Sequence, residues 1–346
     1  TPERYRIKVE VERQGLPLEK WQIAIYRGIL TGYNDAFYIG TEDRNKFIAE
    51  DSRCAELIVP LLRGRYVDKF ATQWEKAEDE KWMINSHNGV KELGIPPVNL
   101  RDDYPVLWNH LVAHEEKLTT RLDKGDHWSN LRNCAYINDF QKVKIIYPEI
   151  TKRLGFFLDK GNGFYPNNKA FILTSEAESL AYLAAALNST VFRCCFKDDF
   201  PNLGEDRREL RKIFMDKIPI KKPTAQQAAL FEALVPMVQA AKAESQKADC
   251  SELKSVASFL EEVIDACVME VYFADHMAEH RLGIMTHVTP LLEDFDAAAS
   301  PAEQVAAAQQ FYAQANDSKH PIRNILIRIP VDSPDLLAVI QREGAV

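Results

Sequence analysis

The chain has 346 residues, 46% hydrophobic and 27% charged, a balance ordinary for a soluble globular protein of about two domains. Its longest apolar runs, such as Leu180 to Leu187, fall far short of the roughly 20 residues that span a membrane. The net charge of −8 is uneven: from Pro223 onward 8 Lys and Arg face 18 Asp and Glu, against 35 and 33 before it, so a basic surface remains open to the first two-thirds.

The chain begins at Thr1 without an initiator Met and enters an alternating segment, Tyr5 to Glu12, which reads as a half-buried strand. We take the chain as part of a longer polypeptide with an N-terminal partner domain. Ile23 to Ile39 has a strand-like start, a turn around Gly28 and Gly32, and an aromatic end. Residues 45–62 read as a helix with Asp43 a possible cap. Trp82-Met83-Ile84 is a short strand, followed by a polar loop from Asn85 to Asp103. Tyr104 to Lys124 reads as one amphipathic helix, because Leu107, Leu111, Leu118 and Leu122 recur near helical spacing.

Residues 142–146, 155–158 and 169–174 are strand candidates, with Gly161-Asn162-Gly163 supplying turn chemistry between the last two. Residues 176–196 form a strongly apolar helix. Near Lys221-Lys222-Pro223 the character changes to Ala-, Gln- and Glu-rich helices over 225–248, 251–282 and 301–315, followed by a short Ile325-Leu326-Ile327 run. The fold expected is an α/β (α+β) domain over 1–222 followed by a mainly α-helical C-terminal domain over 223–346.

Catalytic signals are sparse. The six cysteines lack C-x-x-C spacing and read as reduced thiols. The lone Pro-Pro, Ile95-Pro96-Pro97-Val98, lacks the polar and aromatic neighbours that hold a flipped adenine. Gly161-Asn162-Gly163 opens no helix and is weak as a nucleotide loop. Asp79-Glu80-Lys81 has no upstream Pro-Asp partner for a nuclease core. His276-Met277-Ala278-Glu279-His280 fits the H-x-x-E-H spacing of an inverted zinc peptidase but lacks a third ligand pattern, and His110 and His114 form a similar pair.

Four stretches, in order, resemble the TaqI-like C-terminal specificity domain of adenine-specific DNA methyltransferases and type IIG restriction enzymes. They are Tyr26 to Ile39, with Gly28-Ile29, Thr31-Gly32 and Ala36-Phe37; Ile58 to Val67, with Leu62-Arg63-Gly64-Arg65; Trp82 to Tyr147, through Tyr104-Pro105, Arg121, Trp128 and Phe140; and Phe157-Leu158-Asp159 through Leu187-Asn188-Ser189 to Ile218-Pro219-Ile220. Tyr66 departs from a common Asp, as do Asn167 and Asn168.

The resemblance implies a sequence-specific recognition module for double-stranded DNA, joined to an N-terminal methyltransferase domain of the same polypeptide that carries S-adenosylmethionine and the chemistry. A bacterial cytoplasmic setting follows, with no membrane partner. The residues agree with this chemistry. Arg63 and Arg65 flank a glycine and offer two guanidinium forks for phosphate or guanine. Asn85, His87, Asn88, Lys91 and Arg101 give the 85–103 loop amides and cations suited to base edges. Arg207, Arg208, Arg211 and Lys212 suit phosphate neutralisation, and Trp128 offers either a stacking face or a half-buried core ring. The alternatives are a separate DNA-specificity subunit and a zinc hydrolase using His276 and His280.

Overall fold

The computed structural model describes residues 1–76 and 81–345. It opens not with a strand but with helix α1 (Pro2–Gln14). Thr1 caps this helix by accepting the Arg4 N–H, Pro2 sits in its first turn and Glu3 lies at the positive end of its dipole. Ile7 and Val11 are buried while Tyr5 and Val9 face solvent, so the i, i+4 spacing decides which apolar residues go inside.

Strands β1 (Ala24–Arg27) and β2 (Tyr38–Ile39) bracket the Gly28–Gly32 turn. The helix expected over 45–62 is shorter and begins earlier: α2 (Thr41–Glu50) is capped by Gly40 rather than Asp43, and Ile58–Leu62 instead form strand β3. Pro60 favours the second correction, because a proline in a helix interior removes a backbone hydrogen bond and crowds the preceding turn. Strand β4 (Trp82–Ile84) lies where expected. Tyr104 to Lys124 splits into α3 (Pro105–Val112) and α4 (Glu115–Thr120). Leu107, Leu111 and Leu118 are buried, but Leu122 is 98% exposed, since the backbone turns extended at Arg121 and carries that side chain inward instead.

Strands β5 (Lys144–Pro148), β6 (Phe157–Asp159), β7 (Tyr165–Pro166) and β8 (Ala170–Thr174) complete two four-stranded sheets. The first is antiparallel in the order β6–β5–β8–β1, with Ile146 opposite both Phe157 and Ile172. The second runs β7–β3–β4–β2, with β7 parallel to β3. Strands β6 and β8 thus flank β5 instead of forming a hairpin, because β7 leaves between them for the other sheet. Asp159 pins the intervening Gly161-Asn162-Gly163 loop by accepting the Asn162 and Phe164 N–H groups at 2.9 Å each, and it forms a buried ion pair with Lys144 at 2.8 Å.

The apolar segment over 176–196 also divides, into α5 (Leu180–Asn188) and α6 (Thr190–Phe196). Ser189 at the break is extended; its Oγ accepts the Phe192 N–H at 3.1 Å and donates to the Ala186 carbonyl at 2.7 Å. The C-terminal helices are α7 (Ala225–Ala248), α8 (Ser251–Glu279), α9 (Pro301–Ala315), α10 (Pro321–Asp332) and α11 (Leu337–Gly344). A mixed α/β part is therefore followed by a helical one, and Ile325 to Ile327 lies inside α10.

The first sheet is a wall between two apolar cores. Ile25, Ile145, Tyr147, Leu158, Phe171 and Leu173 face a core shared with α1, α5, α6 and the C-terminal helices. Their alternating neighbours Ile146, Phe157, Ala170 and Ile172 face a second core, built with the other sheet, α2, α3 and α4. Among the described residues no helix is long and apolar enough to cross a membrane, and all six cysteines are free, four of them buried.

Candidate nucleic-acid interface

The Gly28 and Gly64 turns meet the same segment, residues 166–169. A Cβ on Gly28 would collide with the Asn167 carbonyl oxygen and one on Gly64 with that of Lys169, so both positions require glycine for close backbone approach. Asn167, buried between them, accepts the Gly64 and Lys169 N–H groups at 3.3 Å. This junction places Arg27, Arg65 and Lys169 on neighbouring turns.

Glu149 gathers the cations. Its carboxylate is 4% exposed and meets Arg27, Lys169 (3.8 Å) and Arg211 (3.6 Å), whose own side chains are 47–66% exposed. Arg211 also pairs with Glu209 at 2.8 Å. A short antiparallel pairing of Ile150–Thr151 with Arg208–Glu209, together with the Leu210 N–H donated to the Glu149 carbonyl at 2.7 Å, brings the 207–212 segment here. The result is a basic belt anchored on one buried acid.

Beside the belt lies a cleft of about 200 Å³ lined by residues 27–30, His87, 131–134, Tyr136, Ile137 and Asn168. Tyr26 and Tyr136 stack in parallel near it, with ring centroids 4.3 Å apart and planes within 6°. Arg27 is steadied by the Asn168 carbonyl at 2.9 Å, and Arg132 by Asp123 at 3.2 Å. Desolvation lowers the His87 pKa. Its Nδ1 accepts the Gly89 N–H at 3.1 Å, so the neutral ring carries its proton on Nε2.

Behind the cleft Arg121 works as a clamp. Its guanidinium donates to the carbonyls of Thr31 (2.7 Å), Trp128 (3.1 Å) and Asn130, tying the 28–32 turn to the 127–131 segment. Desolvation pulls its pKa down to about 10. Asn130 bonds the Val98 carbonyl at 2.9 Å, and Ser86 bonds the Ser129 carbonyl at 2.9 Å, so the 85–103 loop is tied to the same frame.

The residues singled out from the sequence fall into distinct places. Arg65 is exposed and stacks on Tyr66, with Arg63 set over Tyr38. Asn85 and Asn88 are buried; Asn88 accepts the Asp126 N–H at 2.9 Å and donates to Asn133, so its amide holds the frame. His87 reaches the cleft, and Lys91 and Arg101 stand exposed on the loop beyond it. Trp128 is half-buried against Trp108, with ring centroids 4.9 Å apart. Arg208 turns toward Asp198 and Asp206, Lys212 pairs with Asp216 at 2.6 Å, and Arg207 is exposed.

Arg27, Arg121, Asn133, Tyr136, Glu149, Asn168 and Lys169 were not among the candidates. All but Glu149 stood inside the recognised stretches, Asn168 as a departure from the family pattern, but nothing local marks the contacts that bring them together, since their partners lie far along the chain. Asp79 and Glu80 fall outside the described residues. The rings of His276 and His280 stack at 4.2 Å, with His276 bonded to Ser333 at 2.7 Å. His110 bonds the Ala36 carbonyl at 3.0 Å. Among the described residues no group of three His, Cys, Asp or Glu side chains is placed to hold a metal.

Comparison with known proteins places these features. Residues 59–220 match the family of TaqI-like C-terminal specificity domains. None of the curated proteins matches the chain. Among solved structures it resembles the type IIG restriction endonuclease BpuSI, at 12% identity over 79% of this chain and 33% of that one, with a TM-score of 0.44. It also resembles the Type IIL restriction-modification enzyme MmeI, solved in complex with DNA, at 13% identity over 87% of this chain and 37% of that one, with a TM-score of 0.49. The chain spans about a third of the length of these two proteins. The Tyr26–Ile39 stretch precedes the matched residues, yet its Gly28 packs on Pro166 and Asn167 within them. The segment 59–220, which supplies most of the second sheet, the Arg121 clamp and Glu149 of the belt, is thus similar to the TaqI-like C-terminal specificity domains.

Proposed function

We propose that this chain is the target-recognition module, for double-stranded DNA, of an adenine-N6 methyltransferase or type IIG restriction–modification enzyme. The observation that carries the reading is the juxtaposition of belt and cleft. Arg27, Lys169 and Arg211 converge on a single buried carboxylate beside the Arg65 turn, and this excess of cation suits phosphate, which supplies affinity and register without sequence information. Next to them His87, Arg132, Asn133 and Asn168 present donors and acceptors at the cleft, the side-chain types that read base edges in the major groove.

The chemistry belongs elsewhere in this proposal. Gly161-Asn162-Gly163 leads into strand β7, not a helix, and its central N–H and that of the following Phe164 are held by Asp159. It therefore does not fit S-adenosylmethionine, which we assign to an N-terminal methyltransferase domain of the same polypeptide. Extrusion of the target base falls to that domain, with this module gripping the flanking duplex. A bacterial cytoplasmic location goes with such a role.

The test is selection of randomised duplexes on the purified chain at low and then moderate salt, with sequencing of the retained DNA. An enriched motif that survives added salt is expected. Arg65→Ala with Arg211→Ala should weaken retention of every sequence, whereas Asn133→Ala should relax the motif at one position. Failure of the intact chain to retain any duplex at low salt would overturn the proposal.

A further inference from the structure

A second basic cleft, of about 360 Å³, opens against the helical layer. Its walls come from Asp68 and Lys69, the segment Lys152-Arg153-Leu154, α6 through Arg193 and Lys197, and α7 through Lys242, with Ala345 at the rim. Six cations thus line one concavity. The acids that face them are fewer: Glu261 serves both Lys69 (2.8 Å) and Lys242, Glu205 meets Lys152 at 3.2 Å and Asp206 meets Lys197 at 2.7 Å. The Asp68 carboxylate accepts the Lys69 N–H at 2.8 Å. Behind α6, Asp265 accepts the Thr190 N–H at 2.9 Å, and desolvation raises its pKa, which works against its acting as a counter-charge.

Two guanidinium groups are left over. Arg153 and Arg193 make no ion pair among the described residues, and the Arg193 Nε is buried there without a hydrogen-bond partner. Guanidinium forks flanked by ammonium groups in a concave, partly desolvated site match the oxygens of a phosphate group better than a lone carboxylate, which offers fewer acceptors. The cleft is also chained to the first basic surface. From Glu149 of the belt to Arg153 of the cleft is four residues, at most about 14 Å of extended chain.

We infer that this cleft is a phosphate-binding site, distinct from the recognition face. The phosphate has two sources with one chemistry: the backbone of a duplex running on from the belt, or a free polyphosphate such as a nucleotide tail. Occupancy by either would fix α6 and α7 against the 152–154 segment, so that ligand binding stiffens the joint between sheet and helices.

The experiment uses the full chain with two probes. Inorganic tripolyphosphate is titrated at low salt by calorimetry, and a random-sequence duplex is titrated over a salt series. The variants are Lys152→Gln/Arg153→Gln, both exposed positions, and Arg193→Gln, with circular dichroism confirming that each folds. The expected result is that tripolyphosphate binds the unaltered chain, and that the double variant weakens it about tenfold or more. A fall of about 2 in the slope of log affinity against log salt for the duplex assigns the site to the DNA backbone. Loss of tripolyphosphate affinity with an unchanged duplex slope assigns it to a free phosphate ligand. Equal tripolyphosphate affinity in all three proteins, or none in any, together with an unchanged duplex slope, overturns the inference. The tripolyphosphate arm needs no DNA, and the Arg65→Ala/Arg211→Ala variant isolates the belt, so failure of this site and failure of the recognition proposal read differently.

Discussion

Arg121 is 8% exposed and directs its guanidinium at three carbonyls from two separate segments. Removing it leaves those acceptors buried and unmet, so Arg121→Ala should cost about 2–4 kcal/mol in urea unfolding. Arg121→Lys should recover only part, because one ammonium cannot reproduce a planar fork. The same frame gives a pH signature. Desolvation lowers the pKa of His87 and of His110 below the ordinary 6.5. The unfolded chain then binds more protons than the folded one as pH falls through 6.5, so stability is full above that value and declines below it. The melting temperature should drop between pH 7 and pH 5, and His110→Gln should flatten the decline. An unaltered slope in that variant would remove His110 from the account. At this scale the sequence was legible for exposure, as with Arg65, whose charge keeps it at the surface. It was misleading at Asn88, an amide on a polar loop whose partners, Asn133 and the Asp126 N–H, arrive from about forty residues away. Glu149 was illegible for the same reason: nothing near it in the chain announces three cations.

Elements were readable where their ends are written locally. Helices α7 and α9 begin where the sequence places them because Thr224 with Gln227, and Ser300 with Glu303, form reciprocal capping boxes within four residues. Thr224→Ala should therefore cost about 1 kcal/mol, read by urea denaturation. The failures came where two periods overlap or tertiary contacts cut a run. In Tyr5 to Val11 the apolar residues alternate, yet only Ile7 and Val11 are buried. A strand would place Val9 and Val11 on one face, whereas a helix separates them by about 200°. Val11→Ala should thus cost about 2 kcal/mol and Val9→Ala less than about 0.5 kcal/mol. Equal losses at both positions would contradict helix α1. The apolar run over 176–196 broke at Ser189, whose extended backbone lets one hydroxyl finish α5 and start α6. Its periodicity is blurred because both helices are almost wholly buried.

For the whole molecule, the change in composition at Pro223 and the division of the core are different things. Composition marks where strands stop and acidic helices begin. Burial follows the first sheet, whose one face, through Ile145, Tyr147, Leu158 and Leu173, is covered together with α5 and α6 by Leu234, Val238, Leu260 and Ile264 from α7 and α8. Tyr272 of α8 also accepts the Lys221 N–H at 3.0 Å, stitching the boundary itself. A chain cut after Lys222 would bare much of the apolar surface of α5 and α6, at about 25 cal/mol per Å² exposed. Domain stabilities are only about 5–15 kcal/mol, so a few hundred Å² of such exposure is enough to abolish cooperative folding. The fragment 1–222 should accordingly bind a hydrophobic dye, lose its near-ultraviolet dichroism and melt without a cooperative transition. The full chain should melt in one step by both calorimetry and dichroism. A cooperatively folded 1–222 fragment, or two separated transitions in the full chain, would instead make the helical region an independent domain docked on the recognition module. In that case the phosphate cleft between Arg153 and Arg193 would lie on an interface free to open.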